Sequence, residues 1–385
     1  MADQGLKITF TDLIGRGTLE IGDGYRAKNS ELGGDGPIFM RAGRLTRSGW
    51  DWDGAERFHA DLTEKVEGKL SLPQDTVITT KGNSVGRTGY VPHDVAPFVY
   101  SPHLSYWRSR KIDELDPGYL RYWALSPEFA AQLKAMAHGT DMAPYLSLYD
   151  QKHLSITLPT IERQRAIAEV LGALDDKIAV NERIANTSVQ LGGELLELAI
   201  QAHSYESTVG SIAELVYGKA LPEPKRRHGD APVYGCTGQV GWHDTPLTPF
   251  PVPVVGRKGA NAGHVSWMSR PGWVIDTAYY ARPLASEVST EALYFVLNSA
   301  GLKKLIGDSA VPGVNRDLAL RQPVRLPAPG FMVEFREQAR YLLETSVHKE
   351  TENRSLAALR DTLLPQMVTG KLRIKDAERA VEDAV

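Results

Sequence analysis

The sequence predicts an α+β protein: two α/β domains in tandem repeat, separated by two long antiparallel helices that pair as a coiled coil about a pseudo-twofold axis. Three observations lead there. A Lys-Gly loop occurs once in each half, as Thr80-Lys81-Gly82-Asn83-Ser84-Val85-Gly86-Arg87 and as Arg257-Lys258-Gly259-Ala260-Asn261-Ala262-Gly263-His264. Each half closes on a Leu-Pro dipeptide, Leu158-Pro159 and Leu326-Pro327. Each dipeptide opens a long segment whose apolar residues fall three and four apart, the seam of a paired helix.

The first domain is assigned to residues 1–158 and the second to 205–327. Their starts are matched as Thr11-Asp12-Leu13-Ile14 with Ala213-Glu214-Leu215-Val216. After the loop each half has a β-rich run and then an aromatic-rich helix, GYLRYWALSPEFAAQL from Gly118 and TEALYFVLNSAGLKKL from Thr290. The offset between matched residues falls from 202 (Asp12 to Glu214) to 177 (Lys81 to Lys258) and 168 (Leu158 to Leu326). The second domain is therefore the shorter, and most of the difference arises early. Two diverged modules fit this better than a symmetric duplicate.

The central spacer helix is assigned to residues 159–204. Ile167, Leu171, Leu174 and Ile178 step by four, three and four. After an irregular stretch at Asn181-Glu182-Arg183, Ile184, Leu191, Leu195 and Leu198 resume the pattern. The distal helix, within residues 328–372, runs from about Val333 to Leu364 on Ala339, Leu342, Leu343, Val347, Leu356, Leu359 and Leu363, and Pro365 stops it. A tail, 373–385, follows. At 1.5 Å per residue, such a helix is a rod of about 60 Å. Neither seam is long enough to stand alone, and the other helix is the available partner; packing of each helix onto its own domain is the alternative. Asn181 and Asn353, near the helix midpoints, either set the register as buried polar groups or sit in solvent.

Composition narrows the classes. Of 385 residues, 42% are apolar and 24% charged, which suits two domains with sizeable cores. Cys236 is the single cysteine, so neither a disulfide nor a thiolate metal cluster can form within the chain. No apolar run reaches the roughly 20 residues of a membrane helix and the N-terminus lacks a signal-peptide core, so a cytoplasmic protein is expected. Net charge is −3, yet residues 205–330 carry 13 cations against 10 anions while 161–204 carry 4 against 7. Such a balance suits a chain that shares a polyanionic partner with other subunits better than one that grips it alone.

The segment LPTIERQRAIAEVLGALDDKIAVN, Leu158 to Asn181, resembles the central spacer of type I restriction–modification specificity subunits. Leu363-Leu364-Pro365-Gln366-Met367-Val368-Thr369-Gly370-Lys371-Leu372 is similar to the end of that family's distal repeat. Gln164, Asp175 and Lys177 together make the pattern specific, beyond what a fold alone is expected to fix. The second copy keeps Glu337-Gln338, matched to Glu162-Arg163-Gln164, but lacks the Leu-Asp-x-Lys-Ile run. With the repeat, the resemblance spans essentially the whole chain.

That resemblance implies a non-catalytic subunit with two target-recognition domains, each reading half of a split, asymmetric DNA site. The helices would be the ruler between them and the dock for two adenine-N6-methylating modification subunits. S-adenosylmethionine would come with those subunits, and ATP and Mg²⁺ with motor-nuclease restriction subunits. Gln164, Ile167, Leu171, Leu174, Ile178, Gln338, Leu342 and Leu356 are the spacer and docking candidates.

For DNA contact, the Lys-Gly loops come first: Lys81, Asn83, Ser84 and Arg87 in one, Arg257, Lys258 and Asn261 in the other. Glycine admits close backbone approach, Lys and Arg neutralise phosphate, and Arg or Asn can pair with base edges. An ordinary hairpin with a basic tip is the bland alternative. Further candidates are Tyr25 and Arg26, Arg108 and Arg110, Lys152, Lys219 after Tyr217, Arg226, and Asn315 with Arg316. The tryptophans read as core.

The sequence holds no methyltransferase tetrapeptide, no glycine-rich cofactor loop between strand and helix, and no His-Glu-x-x-His or Cys-x-x-Cys zinc spacing. Two other readings stay open at this point: a related phage-defence DNA-recognition adaptor, and a coiled-coil scaffold that does not read sequence.

Overall fold

Successive residues of a strand face opposite ways, and in strand Thr76–Thr79 both faces are covered. Ile78 packs in a cluster with Trp107, Trp123 and Ile167, whereas Val77 packs with Met40, Phe98 and Leu104. In strand Val252–Gly256, Val255 and Val254 divide between two clusters in the same way. Burial on both faces explains why neither strand alternates exposed polar with buried apolar residues.

The computed structural model describes residues 5–46, 49–137, 145–306 and 312–384. They form two units: Met1–Ile178 with Ser355–Val385 (unit 1), and Ala179–Arg354 (unit 2). Helix and strand are mixed in both, as expected.

Each unit is built on an antiparallel four-stranded sheet of the same order. In unit 1 it runs Leu19–Asp23, Leu104–Ser109, Thr76–Thr79, Thr88–Tyr90. In unit 2 it runs Ala213–Tyr217, Ala278–Pro283, Val252–Gly256, Val265–Met268. A two-stranded sheet ties the start of each domain to its Leu-Pro end: Leu6–Thr9 with Ser155–Leu158, and Ser204–Thr208 with Pro323–Pro327. A three-stranded sheet with one parallel pair completes each unit.

The aromatic helices start on side-chain caps. Asp116 accepts from the Tyr119 amide ahead of Pro117–Trp123, and Ser289 accepts from the Ala292 amide ahead of Thr290–Ser299. These caps set an offset of 173.

The central helix is Ile161–Ala202 and the distal helix Pro329–Val368. In unit 1, Ile167, Leu171 and Leu174 share a buried cluster with Leu356, Leu363, Leu364 and Met367. In unit 2, Leu196 and Ile200 share one with Met332, Phe335, Ala339 and Leu343. In both units, residues of the two long helices bury one another.

Several sequence expectations change. Thr11–Ile14 lies in helix Phe10–Gly15, but Ala213–Val216 lies in a strand. The strand's counterpart is Leu19–Asp23, an offset of 194, and a shared acidic-apolar pattern had disguised the mismatch. The central helix passes through Asn181-Glu182-Arg183 without a break. Its second half does not bury Ile184, Leu191 or Leu198; Leu198 is 60% exposed. Buried instead are Asn181, Ala185, Ser188, Leu196 and Ile200, at helical spacing. Small and polar seam residues leave little trace in a search for leucines.

Pro365 lies inside the distal helix, which continues to Val368. The helix ends at Gly370 (φ +72°), whose amide donates to the Met367 carbonyl while the Lys371 amide donates to that of Gln366. This left-handed cap, not the proline, is the stop. The tail contains helix Ile374–Glu382, which buries Ala377 and Val381 in unit 1. The Leu-Pro offset of 168 also persists into the long helices. Gln164, Ile167, Leu171 and Leu174 correspond to Met332, Phe335, Ala339 and Leu342, all buried. The counterpart of Gln164 is therefore Met332; Gln338 is exposed, and Glu-Gln is a pair any helix surface can carry.

Candidate nucleic-acid interface

The two Lys-Gly loops are folded bond for bond alike. In unit 1 the Thr79 amide donates to the Arg87 carbonyl (2.9 Å), Gly86 to Thr79 (2.9 Å), Val85 to Gly82 (3.1 Å) and Arg87 to Ser84 (2.9 Å). Unit 2 repeats all four: Gly256 to His264 (2.8 Å), Gly263 to Gly256 (2.8 Å), Ala262 to Gly259 (3.0 Å) and His264 to Asn261 (3.1 Å). Gly82 and Gly86 have φ of +80° and +83°, and Gly259 and Gly263 of +101° and +74°, a region L side chains rarely adopt.

A second segment holds each loop from the side. The Leu146 amide donates to the Thr80 carbonyl and the Val314 amide to the Arg257 carbonyl, both at 2.9 Å. The next residue caps a short helix: Ser147 accepts from the Asp150 amide, and Asn315 accepts from the Asp317 and Leu318 amides.

In unit 2 the structure brings five residues together. Tyr217, 48% exposed, lies under the guanidinium of Arg257 (4.9 Å from the ring centroid) and that of Arg316 (5.7 Å). The Lys219 amide donates to the Val274 carbonyl and the Lys258 amide to that of Thr277, so both exposed lysines flank the same 274–279 segment. Asn261 is exposed in the loop. The Asn315 carboxamide is committed to its cap, and Arg316 also donates to the Leu215 carbonyl (2.6 Å). Arg226 lies outside this group and braces the Leu221 and Val240 carbonyls.

Unit 1 is less cationic at the corresponding places. Lys81 and Asn83 are exposed and Ser84 half-buried; Arg87 donates to the Leu45 carbonyl (2.6 Å). Lys152 is exposed at the end of its short helix, and Arg26 is exposed. The Tyr25 hydroxyl donates to Glu31 (3.1 Å) and its ring packs on Phe58. Arg108 is a structural brace: it pairs bidentately with buried Asp75 (2.6 and 2.7 Å), which also accepts from Tyr100, and stacks on Tyr106. Arg110 is paired with Glu20. Burial and the neighbouring Glu20 push the Tyr106 hydroxyl up to about 12, so it remains a donor to that carboxylate. A charge count singles out Arg108 and Arg110, but it cannot see Asp75 and Glu20 waiting across the sheet. It also misses the exposed, uncharged Tyr145 and Tyr149.

The spacer residues now have physical roles. The Gln164 amide group donates to the Pro159 and Glu114 carbonyls and accepts from the Asp116 amide, stapling the helix start to the domain. Asp175 accepts from Arg121 (2.5 Å), the Tyr122 hydroxyl (2.8 Å) and Arg360 (2.8 Å). Burial raises the Tyr122 hydroxyl far above its ordinary value, keeping it a donor. Fold-level needs thus account for Gln164 and Asp175. Ile167, Leu171, Leu174, Leu342 and Leu356 are buried within the chain and Ile178 is half-buried; of the docking candidates only Gln338 is openly exposed.

Residues 22–187 match the family model of the type I restriction modification DNA specificity domain. Over that stretch, less than half of the chain, the sequence is similar to that family. The match includes the whole spacer motif from Leu158 to Asn181 and so bears out the resemblance drawn from the sequence. The chain's fold is similar to that of the type I restriction-modification S subunit from M. genitalium, with a TM-score of 0.59, 18% identity, and coverage of 94% of this chain and 95% of that one. The HsdS subunit from Thermoanaerobacter tengcongensis is matched at a TM-score of 0.39 and 13% identity over 95% and 97% of the two chains. No curated protein matches the sequence. Among the described residues no helix is long and apolar enough to cross a membrane.

Proposed function

We propose that this chain is the sequence-recognition subunit of a type I restriction–modification complex and reads a bipartite, asymmetric DNA site with one Lys-Gly loop surface per half-site. The observation that carries this reading is the duplicated loop, with four matching backbone hydrogen bonds and four left-handed glycines, set in a chain whose residues 22–187 match the specificity-domain model. Lys81, Asn83 and Lys152 contact one half-site, and Lys219, Arg257, Lys258, Asn261 and Arg316 the other. Lysines meet phosphates and set register, while Asn and Arg reach base edges.

The two long helices act as an antiparallel coiled coil and hold the readers at a set spacing. In support, each is continuous for 40 residues or more, and residues of both share a core cluster in each unit. Two readers on one face of B-DNA need a separation of about one turn, roughly 34 Å. The chain is non-catalytic in this reading and works in the cytoplasm. It docks modification subunits that bring S-adenosylmethionine and restriction subunits that bring ATP and Mg²⁺.

Selection from a random duplex pool by the chain co-assembled with its modification subunit tests this. Enrichment of two short blocks with a fixed gap is the expected result. Binding without any enriched motif would leave a scaffold instead of a reader.

A further inference from the structure

Unit 1 exposes two large rings beside its Lys-Gly loop. Tyr145 is 61% and Tyr149 72% exposed, on either side of the Ser147 cap. Neither position is loosely held. Tyr145 is bridged to Lys81 across a two-residue β contact, and the next residue, buried Leu146, donates its amide to Thr80. Gln151, fully buried two residues beyond Tyr149, accepts from the Trp107 indole (2.8 Å) and donates to Ser105 and to the Leu146 carbonyl. Tyr149 itself is braced by the His153 ring at 4.5 Å. What sets these rings apart from other exposed apolar residues is that both are carried on a segment hydrogen-bonded to the Lys-Gly loop and to the buried core.

The neighbours say what kind of partner fits. Exposed Lys81 is bridged to Tyr145, and exposed Lys152 shares the short helix Leu148–Lys152 with Tyr149, so the occupant is polyanionic yet offers apolar groups. In unit 2 the place of Tyr145, 168 residues on, is taken by Gly313, which bridges Lys258. The second reader lacks the rings and has the guanidinium pair over Tyr217 instead.

We infer that Tyr145 and Tyr149 are specificity-determining residues of the first reader, packing their rings against duplex DNA through apolar contacts with base edges and sugars. This rests on the DNA-reading function proposed above. It follows that the two half-sites are held by different chemistry. The first depends more on ring contacts, which salt screens little. The second depends more on cations, whose contribution falls with salt through counterion release.

The test uses the full chain co-assembled with its modification subunit and the duplex enriched by the wild-type complex. Tyr145→Ala and Tyr149→Ala each weaken binding by about 10-fold, the scale of a good base-edge contact, and degrade one block of the enriched motif only. The slope of log affinity against log salt stays as in wild type. Tyr145→Phe and Tyr149→Phe keep the ring and restore most of the affinity, which separates contact from misfolding. Unchanged affinity in both Ala variants, a loss spread over both blocks, or a flatter salt slope overturns the inference. In each of those cases the wild-type motif still stands, so the DNA-reading function survives. Failure of the wild-type complex to enrich any motif removes both.

Discussion

Where the aromatic helix of unit 1 meets the long helices, Arg121 and Tyr122 hold Asp175, and Arg360 reaches the same carboxylate from the distal helix. The matching positions in unit 2 are Tyr294, Phe295, Leu343 and Gly192, and there is no charge among them. Phe295 packs edge-on against Phe335, and its ring sits where a Cβ on Gly192 would go. One backbone plan is thus closed by a polar clamp in one half and by shape in the other. The clamp is directional and joins three elements through one carboxylate. The apolar version needs a tight fit, since dispersion and burial have no preferred direction.

The largest expected effect separates the two. Phe335→Ala removes a buried ring from the apolar version and should cost about 3–5 kcal/mol, lowering the urea midpoint. Hydrogen exchange should place the loss in residues 179–354; equal loss in both units would mean the seam does not divide as described. Asp175→Ala comes next. It leaves Arg121 and Arg360 without their acceptor, and because both are partly exposed the cost is nearer 1–3 kcal/mol. Here the loss belongs to unit 1.

A reciprocal pair sharpens the contrast. Tyr122→Phe gives up one hydrogen bond, about 1 kcal/mol, whereas Phe295→Tyr puts a hydroxyl where the clamp's carboxylate is replaced by Leu343, costing about 1–3 kcal/mol. Equal and negligible effects in calorimetry would show that the two chemistries are interchangeable.

The smallest effect is in acid. Glu31 in unit 1 is held down to about 2 by hydrogen bonds from Lys65 and from the Lys28 amide. Asp244 in unit 2 is held down to about 2 by Arg227 and Thr245. A depressed carboxyl stabilises fully above its unfolded value and stops doing so as pH falls through the folded one. The Glu31 contribution therefore fades between pH of about 4.5 and 2, and that of Asp244 between about 3.8 and 2. Glu31→Gln should flatten the stability–pH curve of unit 1 in that window and Asp244→Asn that of unit 2, read by fluorescence-monitored unfolding; unaltered curves would count against these ion pairs.

Much of the architecture was legible because it is written twice. The Lys-Gly loops and Leu-Pro ends survive as local sequence, since left-handed glycines and strand ends admit few residues. The first half of the central helix was legible through Ile167, Leu171 and Leu174, whose size shows in a periodicity search. Its second half was not, because Asn181, Ala185 and Ser188 bury small or polar surface. The domain starts were misaligned because an acidic-apolar tetrapeptide suits both a short helix and a strand. Among the candidate contacts, Lys81, Arg257 and Lys258 stand out by charge and lie on the two matching loops. Arg108 and Arg110 were found by the same rule and are braces, because the acids that neutralise them are distant in sequence. Tyr145 and Tyr149 carry no charge and became visible only as exposure on a rigid surface.

The claim on which everything else depends is that each unit reads its own half of the DNA site. It is tested most directly by replacing residues 1–157 with the equivalent segment of another specificity subunit and selecting duplexes with the assembled complex. One block of the enriched motif should change while the other block stays as in the parent. A change in both blocks, or in neither, would contradict the account.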